Sequence, residues 1–130
     1  RVWAVAAYPG YHGKDYHIQC IDDGSSLCSF LTPSQVSRKW DDFIVVNALG
    51  PEFDISKKGS TKKVKTLGGA SEAKLKRQCA AIKDKPYVVY CAHKHCDAAK
   101  KLITKMVAMG CCNAYYMPAG KQGWEADRHA

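Results

Sequence analysis

The sequence predicts a single α/β domain, an open parallel sheet with helices on both faces. A chain of 130 residues has room for one domain with a hydrophobic core of its own. Two segments, Phe43–Leu49 and Tyr87–Ala92, are apolar and rich in β-branched residues without alternation, which is typical of strands buried on both faces. Helical patterns lie before, between and after these segments, and such alternation favours a parallel sheet covered by helices.

Three helices are predicted from capping signals and from the spacing of apolar residues. Residues 32–35 (TPSQ) form a capping box with proline at the first helical position, which opens a helix that ends near Trp40. Ser71 is the predicted N-cap of a second helix. Asp97 is the predicted N-cap of a third helix, in which apolar residues recur on one face until Gly110 stops it.

The domain boundaries follow from where regular patterns begin and end. Residues 1–29 form an N-terminal extension with one candidate strand at Tyr16–Ile21, residues 30–127 form the domain, and residues 128–130 form a tail. Asn113–Met117 is the predicted last strand, followed by a turn and a short irregular segment.

The charge of the chain indicates an anionic partner. Twenty Lys and Arg against twelve Asp and Glu give a net charge of +8, which suits nucleic acid, a membrane surface, an acidic protein or a small oxyanion. Residues 51–70 are predicted to be a loop whose lysines, between positions 57 and 65, are solvated. No aromatic residue lies among these lysines, which argues against nucleic-acid binding. No apolar run approaches the ~20 residues needed to span a bilayer.

The seven cysteines leave at least one thiol outside any intramolecular pairing. A reducing compartment would keep all of them as thiols and an oxidising one could close up to three bridges, so the compartment stays open. Cys20 and Cys28 bracket a turn and could pair. Core or helix-end positions are expected for Cys79, Cys111 and Cys112.

The loop after the second buried strand carries the candidate chemistry, because ligands of parallel sheets bind beyond the carboxyl ends of the strands. Its residues are Cys91, Ala92, His93, Lys94, His95, Cys96 and Asp97. A tight loop that returns to a helix N-terminus directs backbone N–H groups and the positive end of the helix dipole inward. Both effects favour a thiolate, the nucleophilic form of cysteine, at Cys91.

These features together resemble the rhodanese (thiosulfate sulfurtransferase) domain. The resemblance extends over about residues 30–127 and combines a strand ending in cysteine, a short loop, an apolar helix, a last strand and a Gly–Trp signature. The segments that carry it are Tyr87–Cys91, Asp97–Ala99, Asn113–Met117, Ala119, Gly120 and Trp124.

The resemblance implies a transfer of sulfane sulfur that needs no metal and no cofactor. Cys91 would attack the outer sulfur of an anionic donor such as thiosulfate, carry it as a persulfide, and pass it to a thiol or to cyanide. The loop backbone from Ala92 to Cys96 would hold the persulfide, its two histidines and its lysine would add positive charge, and Asp97 would cap the helix behind. An acidic protein is a further candidate partner.

The sequence departs from the family pattern at two places. In the scaffold, Asn47–Leu49 replaces the usual Asp-x-Arg, and residues 66–70 (TLGGA) are a reduced form of a longer motif. In the loop, Cys96 stands where Arg is common and Asp97 where Ser is common. Cys96 could close on a Cys91 persulfide and release sulfide, or form a disulfide with Cys91.

Three other functions remain open at this stage. The chain could be a non-catalytic binding module that uses its basic surface. Residues 91–96 could bind Zn²⁺ or Cu through thiolate and imidazole ligands. A cysteine-based phosphatase is disfavoured, because phosphoryl transfer needs an arginine clamp at the loop's end, where Asp97 would repel phosphate.

Overall fold

The computed structural model describes residues 31–111 and 113–127 in full, and the backbone alone of residues 3–6, 17–20 and 26–29. The strands are β1 (Trp3–Ala6), β2 (His17–Cys20), β3 (Ser26–Ser29), β4 (Ile44–Asn47), β5 (Lys65–Thr66), β6 (Tyr87–Tyr90) and β7 (Ala114–Met117). The α-helices are α1 (Pro33–Arg38), α2 (Glu72–Ile82), α3 (Ala98–Ala108) and α4 (Gly120–Ala126). A turn of 3₁₀ helix covers Pro51–Phe53.

The main sheet is parallel, with strand order β5-β4-β6-β7. β6 is central: it pairs with β4 from Tyr87 opposite Ile44 and with β7 from Tyr87 opposite Ala114. β1, β2 and β3 form a separate antiparallel sheet, and β2 confirms the candidate strand in the N-terminal extension. The division of the chain at residue 30 stays a prediction.

Helices cover both faces of the main sheet, as the sequence predicts. Because side chains alternate along a strand, β6 sends Tyr87 and Val89 to the face that carries α2 and α3. It sends Val88 and Tyr90 to the opposite face, which carries α1 and α4. All four of these side chains are buried. As predicted, the strand is apolar throughout because both of its faces are covered.

The capping signals of the first two helices are confirmed. The Gln35 backbone N–H donates to Thr32 Oγ1 at 3.2 Å, and the Thr32 N–H donates to Gln35 Oε1 at 2.8 Å, which completes the capping box. Ser71 Oγ accepts from the Lys74 N–H at 3.2 Å. Each such cap contributes about 1 kcal/mol to helix stability. At the other end of α3, Gly110 has a φ of 101°, consistent with its predicted role as the stop.

Two elements lie where the sequence predicts irregular structure. β5 falls inside the predicted loop 51–70 and pairs with β4 through Val46 and Asn47; two residues are too few to show a periodicity. α4 falls in the segment after β7. It is fixed by Trp124, which is buried against Trp40 with ring centroids 5.3 Å apart.

The loop lysines are not all solvated, and the prediction is wrong for two of them. Lys57 Nζ donates to the Ser37 carbonyl at 2.6 Å. Lys62 Nζ contacts the carbonyls of Trp40 and Phe43 and lies 5.5 Å from the centre of the Trp40 ring. These ammonium groups bond to carbonyls in the last turn of α1 and in the segment after it, and so they fasten the loop to that helix.

The cysteines outside the loop 91–97 are described only in part. Cys79 and Cys111 are buried, as expected. The suggested pairing of Cys20 with Cys28, and the position of Cys112, lie outside the residues whose side chains are described.

Across residues 31–111 and 113–127 and the three N-terminal strands, no helix has the length and apolar character needed to cross a membrane.

Candidate functional site

The candidate site is the loop that joins β6 to α3 at the carboxyl edge of the sheet. Cys91 follows the last residue of β6 and its side chain packs on the α2/α3 face. The loop then folds on itself: the Cys96 N–H donates to the His93 carbonyl at 3.1 Å, and the His95 N–H donates to His93 Nδ1 at 3.1 Å. Cys96 is therefore brought back beside Cys91, five residues earlier.

The N-terminus of α4 holds the opposite side of this loop. The Lys121 N–H donates to the Cys91 carbonyl at 2.8 Å, and the Gln122 N–H donates to the Ala92 carbonyl at 2.9 Å. In a trans peptide the C=O and N–H point in opposite directions. With the Cys91 carbonyl turned toward α4, the N–H of Ala92 is turned away from α4.

Gly120 makes this close approach possible. Its φ is +66°, and a Cβ at this position would lie 2.6 Å from the Cys91 carbonyl oxygen and 2.7 Å from the Ala92 carbonyl carbon. A side chain would push the helix away from the loop. In the sequence, Gly120 is recognised only as part of the Gly–Trp signature. Its contact with the loop could not be predicted, because the helix α4 was not predicted.

The two cysteine sulfurs lie in contact and share a set of backbone donors. The single S–H proton of Cys91 has two acceptors within reach, namely the Cys96 carbonyl oxygen, 3.2 Å from Cys91 Sγ, and the Cys96 sulfur. The Ala92 N–H contacts both sulfurs, the Ala98 N–H contacts Cys96, and the Ala99 N–H contacts Cys91. Both cysteines are reduced.

The two thiols differ in exposure and in acidity. Cys91 is 0% exposed, whereas Cys96 is partly exposed. Burial, helped by the neighbouring Cys96, raises the pKa of Cys91 to about 12, against smaller effects of the Ala99 and Ala92 N–H groups. For Cys96, burial and Asp97 act to raise the pKa, but the Ala92 and Ala98 N–H groups and the Cys91 thiol outweigh them and lower it.

The expected thiolate is therefore on the other cysteine. The sequence argument that loop N–H groups and the α3 dipole favour a thiolate at Cys91 is wrong for this conformation, because burial of Cys91 exceeds both effects. The same groups act on Cys96. The two thiols titrate as a coupled pair, in which burial opposes a thiolate at Cys91 and the backbone N–H groups favour one at Cys96.

The predicted cradle Ala92–Cys96 also differs from the observed one. The N–H groups of His95 and Cys96 are used inside the loop, whereas the Ala92 N–H acts on both sulfurs. The other donors are Ala98 and Ala99, in the first turn of α3. His93, Lys94 and His95 are exposed on the loop, and the Lys94 ammonium group adds positive charge at its surface.

Asp97 occupies the N-cap position of α3, but the prediction that it caps the helix is wrong. Its φ and ψ are −102° and 3°, and within the described part of the chain its carboxylate makes no hydrogen bond to the first-turn amides. It forms an exposed ion pair with Lys101 at 3.3 Å. With the side chain turned to solvent, the first-turn N–H groups remain free for the sulfurs.

Asn47 explains how the scaffold tolerates the loss of the usual Asp-x-Arg. This residue is fully buried, and its Nδ2 donates to the Gly50 carbonyl at 2.9 Å and to Asp54 Oδ1 at 2.8 Å. Its Oδ1 accepts from the Leu49 N–H at 2.8 Å. The amide therefore organises the turn after β4 without a charge.

The metal-binding alternative has no ligand set in the structure as described. Among residues 31–111 and 113–127, no three side chains of the types His, Cys, Asp and Glu come together as metal ligands. The ring centroids of His93 and His95 are 6.1 Å apart, and both side chains are exposed. The geometry supports a pair of thiols rather than a four-ligand centre.

A small cleft adjoins the sulfur site. It has a volume of about 180 Å³ and includes Ala98, whose N–H contacts the Cys96 sulfur. Ala48 and Leu67 give it an apolar wall, and Lys101 and Lys105 bring positive charge to its rim. The cleft therefore places two lysines beside an apolar wall near the start of α3.

Comparisons with known proteins agree with this fold. The sequence profile of the rhodanese-like domain family matches residues 47–127, whereas no curated protein matches the chain. Among solved structures, a rhodanese-related protein from Thermoplasma volcanium is similar with a TM-score of 0.56 at 16% identity, over 78% of this chain and 94% of that one. A protein from Bacillus halodurans is similar with a TM-score of 0.58 at 20% identity, over 75% of this chain and 71% of that one.

The family match covers more than half of the chain and includes the whole region from Asn47 to the end of α4. At these identities the solved structures bear on the fold, and they agree with the parallel sheet and its helices. The chain belongs to the rhodanese-like domain family.

Proposed function

We propose that the chain transfers sulfane sulfur from a small anionic donor, such as thiosulfate, to a thiophilic acceptor such as a thiol or cyanide. The sulfur is carried as a cysteine persulfide at the Cys91–Cys96 thiol pair. The observation that carries this proposal is that the two thiols are neighbours and that backbone N–H groups of Ala92, Ala98 and Ala99 act on them.

The first step follows from the chemistry of the pair. A thiolate sulfur attacks the outer sulfur of thiosulfate, a new S–S bond forms, and the S–S bond of the donor breaks so that sulfite leaves with the electron pair. The terminal sulfur of the resulting persulfide carries the negative charge. Backbone N–H groups at fixed positions stabilise such charge without reorganisation. Family resemblance gives the carrier position to Cys91, which is one of the two sulfurs in contact.

The electrostatics support an anionic donor. The chain has a net charge of +8, His93, Lys94 and His95 are exposed on the loop, and Lys101 and Lys105 border the adjoining cleft. A field of one sign raises the local concentration of an oppositely charged substrate and its rate of association.

The test is the release of sulfite when fully reduced protein is mixed with thiosulfate, with no other thiol present. Wild type is expected to release about one equivalent of sulfite per chain, because donor cleavage needs only the thiolate. The double variant Cys91→Ser/Cys96→Ser is expected to release none. Cys79→Ala serves as the matched control, because Cys79 is a buried cysteine outside the loop.

A non-catalytic function is the conclusion if sulfite release does not depend on the two cysteines. If wild type and the double variant release equal amounts of sulfite, or none, the chain is a non-catalytic rhodanese-like module. Its basic surface would then be the feature to probe with an acidic protein partner.

A further inference from the structure

We infer that Cys96 is the sulfur that first attacks the donor, and that Cys91 then resolves the Cys96 persulfide to form a disulfide and release sulfide. This inference rests on the proposed sulfur transfer and assigns a separate task to each thiol. The chain would then use thiosulfate as an oxidant of its own thiol pair, and the loop would alternate between dithiol and disulfide forms.

The solvent exposure of the two sulfurs determines which of them the donor can reach. Cys91 is 0% exposed, and its sulfur lies 3.2 Å from the Cys96 carbonyl oxygen. Cys96 is partly exposed and stands at the turn into α3, next to the cleft that contains Ala98. A donor that arrives from solvent therefore contacts Cys96 first.

The charge distribution selects the same sulfur. The N–H groups of Ala92 and Ala98 and the Cys91 thiol lie beside the Cys96 sulfur and lower its pKa. Cys91 is the donor in that contact, and its pKa lies well above the ordinary value. Cys91 lies directly behind this exposed sulfur, and its proton passes to the departing outer sulfur as Cys91 attacks, so the step does not require a free Cys91 thiolate beforehand.

The resolving step balances without an external oxidant. The Cys91 sulfur attacks the inner sulfur of the Cys96 persulfide, a Cys91–Cys96 disulfide bond forms, and the S–S bond to the outer sulfur breaks. The outer sulfur leaves as hydrosulfide with the bonding electron pair and takes up the proton from Cys91. Two thiols are oxidised to a disulfide and one sulfane sulfur is reduced to sulfide. A thiol or dithiol reductant must then reduce the disulfide before the next turnover.

The spacing of the two cysteines allows this bond. The loop folds back through the Cys96 N–H to His93 carbonyl hydrogen bond, and the two thiols are already in hydrogen-bond contact. Disulfide formation therefore requires the sulfurs to close a short gap, while α4 continues to hold the carbonyls of Cys91 and Ala92.

The experiment compares the reduced wild type, Cys91→Ser and Cys96→Ser after incubation with thiosulfate, using intact mass, peptide mapping and sulfide detection. Cys91→Ser is expected to keep one added sulfur atom on Cys96 and to release no sulfide, because the resolving thiol is absent. Cys96→Ser is expected to gain no sulfur. Wild type is expected to release sulfide and to contain a Cys91–Cys96 disulfide, and Cys79→Ala should match it.

Other outcomes separate this inference from the proposed function. If Cys96→Ser gains a sulfur atom on Cys91, the order of the two thiols is overturned while sulfur transfer stands. If neither single variant nor the wild type releases sulfite, the proposed function itself fails. The disulfide in the wild type provides a readout that does not depend on any variant remaining folded, and its absence after sulfite release would refute the resolving role.

Discussion

Two cysteines of the same loop have opposite environments, although only five positions separate them. Cys91 extends the central strand into the core, so that desolvation sets its pKa at about 12. Cys96 lies at the start of α3, where backbone N–H groups lower its pKa. From sequence, the residue types of the loop and the presence of a reactive thiol can be predicted. The exposure of each thiol cannot, because it depends on how α3 and α4 pack around the loop.

The different environments predict different rates of alkylation. With iodoacetamide, modification of Cys96 should rise with pH and level off below the ordinary cysteine pKa of 9.0, because only the thiolate reacts. Cys91 should remain unmodified at neutral pH and react only as the pH approaches about 12. Peptide mapping of timed samples at several pH values measures both rates. Equal rates at neutral pH would contradict the assignment of the thiolate to Cys96.

Among the helices, α4 holds the loop by two backbone hydrogen bonds and has the weakest signal in the sequence. Helices α1 and α2 begin with capping residues that sequence reasoning can recognise. In contrast, α4 contains Gly120 and Gly123, and glycine disfavours helix interiors. Its formation depends on tertiary contacts, namely the packing of Trp124 on Trp40 and the hydrogen bonds to the Cys91 and Ala92 carbonyls.

This dependence predicts a specific effect of Gly120→Ala. The substitution forces a side chain into a positive φ and places Cβ 2.6 Å from the Cys91 carbonyl oxygen, so α4 must move away from the loop. Gly59→Ala is the matched control, because Gly59 has a φ of +85° and open space around it. Backbone strain of about 1–2 kcal/mol is common to both variants.

Urea unfolding and alkylation of Cys96 distinguish the two glycine variants. Gly120→Ala should lose more free energy of unfolding than Gly59→Ala and should also change the alkylation rate of Cys96. Gly59→Ala should leave that rate at the wild-type value. An equal loss of stability in both, with no change at Cys96, would mean that α4 does not position the loop.

On the scale of the whole molecule, buried polar contacts connect the central strand to the segment after β4. The Tyr90 hydroxyl donates to the Phe53 carbonyl at 2.7 Å and accepts from the Ile55 N–H at 3.0 Å. Burial raises the pKa of Tyr90 above its ordinary value, so the hydroxyl keeps its proton. These hydrogen bonds could not be predicted from the sequence, in which the strand is uniformly apolar. The hydrophobic pattern does not show which tyrosine hydroxyl will be hydrogen-bonded.

Removal of this hydroxyl should destabilise the fold. Tyr90→Phe leaves a buried carbonyl and a buried N–H without their partner, which costs about 1–3 kcal/mol. Tyr115→Phe is the control, because Tyr115 is half-buried and packs edge-on against Phe43 through its ring; a change within about 0.5 kcal/mol is expected there. Urea unfolding of both variants measures the difference, and equal stability would rule out a structural role for the Tyr90 link.

The fold class and the location of the candidate site follow from local patterns, whereas the different environments of the two thiols are a property of the assembled molecule. The uniform apolar runs predict β4 and β6, and the strand–Cys–loop–helix pattern places the chemistry at residues 91–97. The donors Ala98 and Ala99 and the contribution of Gly120 depend on contacts between elements far apart in the chain. Every residue except proline has a backbone N–H group, so the sequence does not indicate which of these groups will face a sulfur.

The most direct measurement for the proposed chemistry is the ratio of sulfide to sulfite released when reduced wild-type protein reacts with thiosulfate. Transfer to Cys96 followed by resolution by Cys91 predicts one sulfide for each sulfite, with loss of both thiols. Sulfite without sulfide would show that the persulfide persists and that Cys91 does not resolve it. Release of neither product would contradict sulfur transfer at this thiol pair.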